Sequence, residues 1–155
     1  MTERNVTHGV FHLERLYPHP VARVYAAFAK AEAKAVWFSG GEGYTEVERA
    51  MDFREGGKER VVGKWESGMV SQFDAVYFDI VPDARIVYAY EMHLSGTKIS
   101  VSLTTIEINP AEGGARLLFS ESGVFLDGYD DAGSREEGST QLLDQVGEYL
   151  ARSGA

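Results

Sequence analysis

Asp52-Phe53-Arg54-Glu55-Gly56-Gly57 is where one strand-like run, Tyr44 to Phe53, gives way to another, Lys58 to Trp65. Two adjacent glycines suit a hairpin there, because a residue without a Cβ accepts positive φ in a tight turn at little cost. With strand-like runs on either side, the hairpin predicts the start of an antiparallel meander.

Downstream the pattern repeats. Gln72 to Val81 alternates, with Phe73, Ala75 and Tyr77 on one face and Val76, Phe78 and Ile80 on the other. Pro82-Asp83 turns the chain into Arg85 to Leu94, where Ile86, Tyr88, Tyr90 and Met92 oppose Val87, Ala89, Glu91 and His93. Ser95-Gly96 leads to Lys98 to Ile108, and Asn109-Pro110 to Gly113-Gly114 leads to Arg116 to Phe125. Upstream, Val10 to Tyr17 reads as a strand that ends at Pro18-His19-Pro20, since proline cannot donate to a sheet ladder. Pro20 opens a short helix whose Val21, Val24, Tyr25 and Phe28 form one apolar stripe. Ala29 to Phe38 continues as a second helical piece, and Ser39 to Gly43 is a loop.

After a polar connection from Asp127 to Gly133, Ser134 and Glu137 have the spacing of a capping box. Leu142, Leu143, Val146, Tyr149 and Leu150 then recur at helical spacing, with Asp144, Gln145, Glu148 and Arg152 placed away from the stripe. Gly138 and Gly147 weaken this helix by about 1 kcal/mol each relative to Ala, so packing has to compensate or a strand has to approach closely. One strand, two short helices, six strands and one long helix describe an α+β chain with its helices on one face of an antiparallel sheet. The 155 residues fit one domain, 1–155, with an ordered core from about 7 to 150.

Composition narrows the function classes. There is no cysteine, which excludes disulfides, thiolate metal sites and cysteine catalysis, and suits a reducing cytoplasm. Fifteen Lys+Arg against 24 Asp+Glu give a net charge of −9, which disfavours nucleic-acid and anionic-membrane partners. No apolar run is long enough for a membrane span, and the N-terminus does not read as a signal peptide. The expected location is cytoplasmic.

With these motifs in this order, the chain resembles the START-like (SRPBCC, helix-grip) superfamily. Within it, the chain is similar to the branch named after the activator of the ninety-kilodalton heat-shock chaperone ATPase. Four stretches carry the resemblance: Arg15-Leu16-Tyr17 through Pro20 and Val24-Tyr25, the pair Trp37-Phe38, the Asp52–Gly57 hairpin, and Pro82-Asp83-Ala84-Arg85-Ile86-Val87-Tyr88. The resemblance covers roughly Thr7 to Leu150. It implies a curved seven-stranded sheet gripping the C-terminal helix, with a cavity between them that the superfamily uses for lipids, hormones and polyketides, and sometimes for catalysis. The eukaryotic chaperone activators carry a further chaperone-binding domain that none of these residues matches.

The candidate cavity residues are Trp37, Trp65, Phe73, Tyr88, Tyr90, Phe119, Phe125 and Tyr129, together with Glu121. Ligand pockets are mostly apolar with a few placed polar groups. Glu121 shares a strand face with Leu117, Phe119 and Phe125, so it enters an apolar interior unless the strand bulges at Gly123. His93 is a candidate general base. The other histidines, His8, His12 and His19, do not supply the three or four convergent ligands a zinc site needs, and Asp127, Asp130, Asp131, Glu136 and Glu137 lack calcium-loop spacing. Neither a P-loop nor a nucleophile elbow occurs. Three readings follow. The first is a protein that binds a small hydrophobic or aromatic ligand without cofactor or metal. The second is a cyclase or dehydratase using Glu121 or His93 in the same cavity. The third is a chaperone-interaction module. A homodimer is left open.

Overall fold

Period-two alternation through the middle of the chain folds as a single sheet. The computed structural model describes residues 4–152. In chain order the elements are β1 (Val6–Tyr17), α1 (Val21–Ala29), α2 (Ala31–Trp37), β2 (Tyr44–Met51), β3 (Lys58–Trp65), β4 (Val70–Val81), β5 (Arg85–Leu94), β6 (Thr97–Ala111), β7 (Gly114–Leu126) and α3 (Ala132–Arg152). The seven strands pair antiparallel in the order β1-β7-β6-β5-β4-β3-β2. The meander from β2 to β7 therefore runs in sequence order, and β1 extends it by pairing with β7. The sheet curves around α3, an α+β helix-grip fold with two short helices after the first strand. Among the described residues no helix is long and apolar enough to cross a membrane.

The Asp52–Gly57 turn departs from a simple tight hairpin. Gly56 alone of its glycine pair has positive φ, at 83°. Gly57 is needed for space, because a Cβ there would fall on the Asp52 carbonyl oxygen. Gly56 N–H donates to Tyr77 O at 2.8 Å and Tyr77 N–H donates to Gly57 O at 3.0 Å, so the turn is tied to β4. Phe53 thereby folds against Tyr77 and Tyr25, with ring centroids 4.9 and 6.2 Å away.

Two expectations need correction. A bulge between Tyr77 and Asp79 inserts one residue into β4. Phe78 stays on the outer face at 59% exposure, whereas the inserted residue brings Ile80 onto the core side, so these two do not share a face. The helix α3 begins at Ala132, before the expected capping box. Its cap is Asp131, whose Oδ1 accepts the Ser134 N–H at 2.8 Å and whose Oδ2 accepts the Ser134 hydroxyl at 3.1 Å. These bonds hold the exposed Asp131 carboxyl below the usual carboxylate range.

On α3, Leu143, Val146 and Leu150 are buried, and they join Val24 and Phe28 of α1 and Leu117 and Ile106 of the sheet in the main core. Gly147 lies against Tyr17 of β1: a Cβ there would be 3.4 Å from the ring. The Tyr17 hydroxyl donates to Leu143 O at 2.7 Å, and burial pushes its pKa well up. The far half of α3 is thus seated on the sheet, and its near half stands over a space.

Candidate functional site

Register places two polar rows on the inner face. Glu121 of β7 lies opposite Thr104 of β6, which lies opposite Tyr88 of β5, which lies opposite Tyr77 of β4. One row over, Ser102, Tyr90, Ala75 and Glu59 stand in the same relation across β6, β5, β4 and β3. Directly opposed side chains are close enough to bond, and the first two of these do.

Glu121 is 2% exposed. β7 stays in register through Gly123, so no bulge releases the carboxylate to solvent. Its Oε1 accepts the Thr104 hydroxyl at 2.8 Å and its Oε2 accepts the Tyr90 hydroxyl at 2.9 Å. Burial raises the Glu121 pKa, and the bonds from Thr104 and Tyr90 and the charge of Arg135 only partly offset it. Burial, then the nearby Glu121 charge, likewise pushes the Tyr90 phenol up.

Arg135, on the first turns of α3, closes this cluster. Its Nη1 donates to the Tyr90 hydroxyl oxygen at 2.9 Å and lies 4.0 Å from Glu121 Oε2. Its Nη2 donates to Ser100 Oγ and to Asp130 Oδ2, both at 2.8 Å. The guanidinium carbon sits 5.6 Å from the Tyr90 ring centre and 5.4 Å from that of Phe125. Burial works against its charge, but Tyr90 and Asp130 more than compensate, and its pKa rises.

A second cluster joins α2 to β3. Lys34 Nζ is 2.7 Å from Glu59 Oε1, and both side chains are buried. The Tyr77 hydroxyl donates to the same oxygen at 2.5 Å, while Glu59 Oε2 is buried with no hydrogen-bond partner. Between the clusters stands Tyr88, whose phenol is pushed well up by burial and then by the Glu121, Tyr90 and Glu59 charges, with a bond to Thr104 opposing them.

Of these groups, Lys34, Tyr88, Tyr90, Glu121 and Arg135 border a cavity of about 390 Å³ between the sheet, α2 and the near half of α3. Of the residues expected from sequence, Trp37, Trp65, Phe73, Tyr88, Tyr90, Phe119 and Glu121 line it. Phe125 does not, because it is buried beneath the Arg135 guanidinium. Tyr129 does not either: it is 49% exposed on the connection before α3.

Lys34, Arg135, Phe38, Tyr44 and Gln145 also line the cavity, and the sequence pattern does not mark them as site residues. Gln145, expected away from the apolar stripe, donates from Nε2 to Trp37 O at 2.6 Å, tying the end of α2 to α3. Tyr44 packs edge-on to Trp65 with centroids 5.0 Å apart. A Cβ on Gly63 would overlap the Tyr44 ring, and one on Gly40 would come within 2.5 Å of it.

Strand parity is the signal that could find Glu59, which alternates with Val61 and Gly63 on β3. Lys34 has a weaker one, its place between Ala33 and Trp37 on the buried side of α2.

His93 is outside the cavity lining and pairs with Glu91 at 3.2 Å, while Lys98 pairs with the same Glu91 oxygen at 3.1 Å. The acidic residues before α3 have separate tasks. Asp127 meets Arg4 and the Asn5 N–H, Asp130 meets Arg135, and Asp131 caps the helix. Among the described residues no group of three or more His, Asp or Glu has metal-site geometry.

Solved structures of the same fold are close. A protein from Rhizobium leguminosarum is 42% identical, covers 97% of this chain and 99% of its own, and superposes with a TM-score of 0.93. The Mll3558 protein of Rhizobium loti is 40% identical, with coverage of 94% and 99% and a TM-score of 0.87. A Staphylococcus aureus protein of unknown function, SA2116, is 21% identical with a TM-score of 0.77 and covers 96% of each chain, which shows the fold alone. Among the curated proteins compared, none matches. The model of one family, described as Activator of Hsp90 ATPase homolog 1-like protein, matches residues 18–151, and the chain belongs to that family within the START-like superfamily.

Proposed function

We propose that this protein binds a small, largely apolar or aromatic molecule in the cavity between the sheet and α3. One observation carries the reading: about 390 Å³ of space walled by aromatic rings and edged by buried ionisable groups. That volume falls within the range of small-molecule sites, which combine apolar walls with a few oriented polar groups. Burying ligand surface supplies the attraction, at roughly 25 cal/mol per Å² before association costs. Residues Trp37, Trp65, Phe73, Tyr88, Tyr90 and Phe119 serve as walls, and Glu121 with its partners sets orientation. Entry runs past the Ser39–Gly40 segment and the near half of α3, both of which border the space.

A cyclase or dehydratase that used His93 as its base in this cavity has no such support, since His93 stands outside the lining. The test is native mass spectrometry of protein purified from its own host, followed by thermal shift with a panel of apolar aromatics. A co-purifying small molecule and raised melting temperatures are expected, because a ligand specific for the native state stabilises it. Protein mass alone, with no melting shift across the panel, overturns the reading.

A further inference from the structure

We propose that Lys34 is the donor that selects the ligand, and that the ligand is a neutral, mainly apolar molecule presenting a carbonyl oxygen to it; this deepens the binding reading above and rests on it. An ammonium group has three N–H donors. Among the described residues, Lys34 Nζ has one hydrogen-bond acceptor, Glu59 Oε1 at 2.7 Å. Around it are rings, with centroids 5.0 Å away for Phe38, 5.7 Å for Tyr88, 5.8 Å for Phe73 and 6.0 Å for Trp37. Ring faces attract the charge but offer no lone pair comparable to an oxygen's. Lys34 is 5% exposed, so bulk water reaches it poorly, yet it borders the cavity.

The other charged and phenolic groups of the Glu121 cluster are already engaged. Both Glu121 oxygens accept a bond. The Tyr90 hydroxyl donates to Glu121 and accepts from Arg135. Both terminal nitrogens of Arg135 have partners. Lys34 Nζ thus keeps two N–H donors without an acceptor at the edge of the cavity.

Charge then decides between a neutral acceptor and an anion. Lys34 is matched by Glu59, and Arg135 is matched by Asp130 with Glu121 close by. An anionic ligand meets no uncompensated positive charge to offset its desolvation. A carbonyl oxygen needs no such offset, and the four rings accept a flat apolar body beside it.

The experiment is calorimetric titration of the full chain with three matched probes: 2-acetylnaphthalene, 2-ethylnaphthalene and 2-naphthoate. The acetyl compound should bind about tenfold tighter than the ethyl compound, the ordinary worth of a hydrogen bond to a charged donor, and tighter than the naphthoate. In the double variant Lys34→Met, Glu59→Gln, the acetyl advantage should vanish while ethyl binding persists. The infrared carbonyl stretch of bound 2-acetylnaphthalene should be lowered in the wild type and should recover in the variant. If the variant does not fold, the wild-type affinity ratio and carbonyl frequency decide alone. Equal acetyl and ethyl affinities, an advantage that survives in the variant, or tightest binding by the naphthoate each overturns the Lys34 assignment and leaves the cavity reading standing. Binding by none of the three, at concentrations that saturate simple apolar sites, overturns both.

Discussion

Arg135 and Tyr90 lie 45 residues apart and are joined by a 2.9 Å hydrogen bond from the guanidinium to the phenol oxygen. The phenol donates its own proton to Glu121, so one contact links the start of α3 to the middle of the sheet. Arg135→Met removes the donor, uncovers Asp130 and Ser100, and leaves the Tyr90–Glu121 bond without its outer partner. The expected loss is about 2–3 kcal/mol in urea unfolding. Amide exchange should accelerate in the near half of α3 before it does around Val146 and Leu150, which the core holds. Uniform acceleration along the helix would show that Arg135 is not its local clasp.

The Lys34–Glu59 pair gives a sharper contrast between single and double replacement. Both partners are buried, so removing one leaves a charge without its counter-ion. Lys34→Met alone should cost about 3–5 kcal/mol, whereas replacing both partners by uncharged residues of similar volume should come within about 1–2 kcal/mol of the wild type. The coupling from a double-mutant cycle measures this directly. Near-additive losses would mean that the ring box, and not the carboxylate, compensates the ammonium.

Glu121 fixes the sign of one pH dependence. Its native pKa is raised above the usual value of 4.5, so the native chain holds this proton more tightly than the unfolded chain does. Stability linked to Glu121 is therefore greatest below the unfolded pKa, falls as pH rises towards the native pKa, and is level above it. The stability of the wild type minus that of Glu121→Gln, followed by denaturant unfolding from pH 4 to pH 8, should decline across that window. A difference that rises with pH would show that Thr104, Tyr90 and Arg135 outweigh burial.

Strand parity makes much of this site legible in the sequence. On β7 the period of two runs unbroken, so Leu117, Phe119, Glu121 and Phe125 all face inward as their alternation predicts. The same logic fails on β4, because the extra residue at Phe78 flips everything after it, and no local sequence signal announces the bulge. Helix patterning misses Gln145 for a different reason. It assigns polar residues to solvent, and here part of α3 faces an unfilled interior. Arg135 is hidden by the cap. If the helix began at Ser134, the next side chain would be an exposed first-turn charge, whereas Asp131 caps the helix and Arg135 turns in over Tyr90.

Gly138 offers a test of the cavity that leaves its charged clusters untouched. It borders the cavity on α3, and a Cβ built on it would meet nothing within 4 Å. Gly138→Ala should therefore stabilise the fold by about 0.5–1 kcal/mol, through reduced freedom of the unfolded chain and better helix propensity. A larger side chain at the same position starts without a clash and, beside the cavity, should take up part of its space. Gly138→Leu should melt no lower than wild type while weakening 2-ethylnaphthalene by about tenfold, since it occupies volume the probe would use. The contrast is Gly147→Ala, where the new methyl group meets Tyr17 at 3.4 Å and should bring no comparable gain. If Gly138→Leu binds the probe as well as wild type does, the probe sits elsewhere and the space beside α3 is not the binding site.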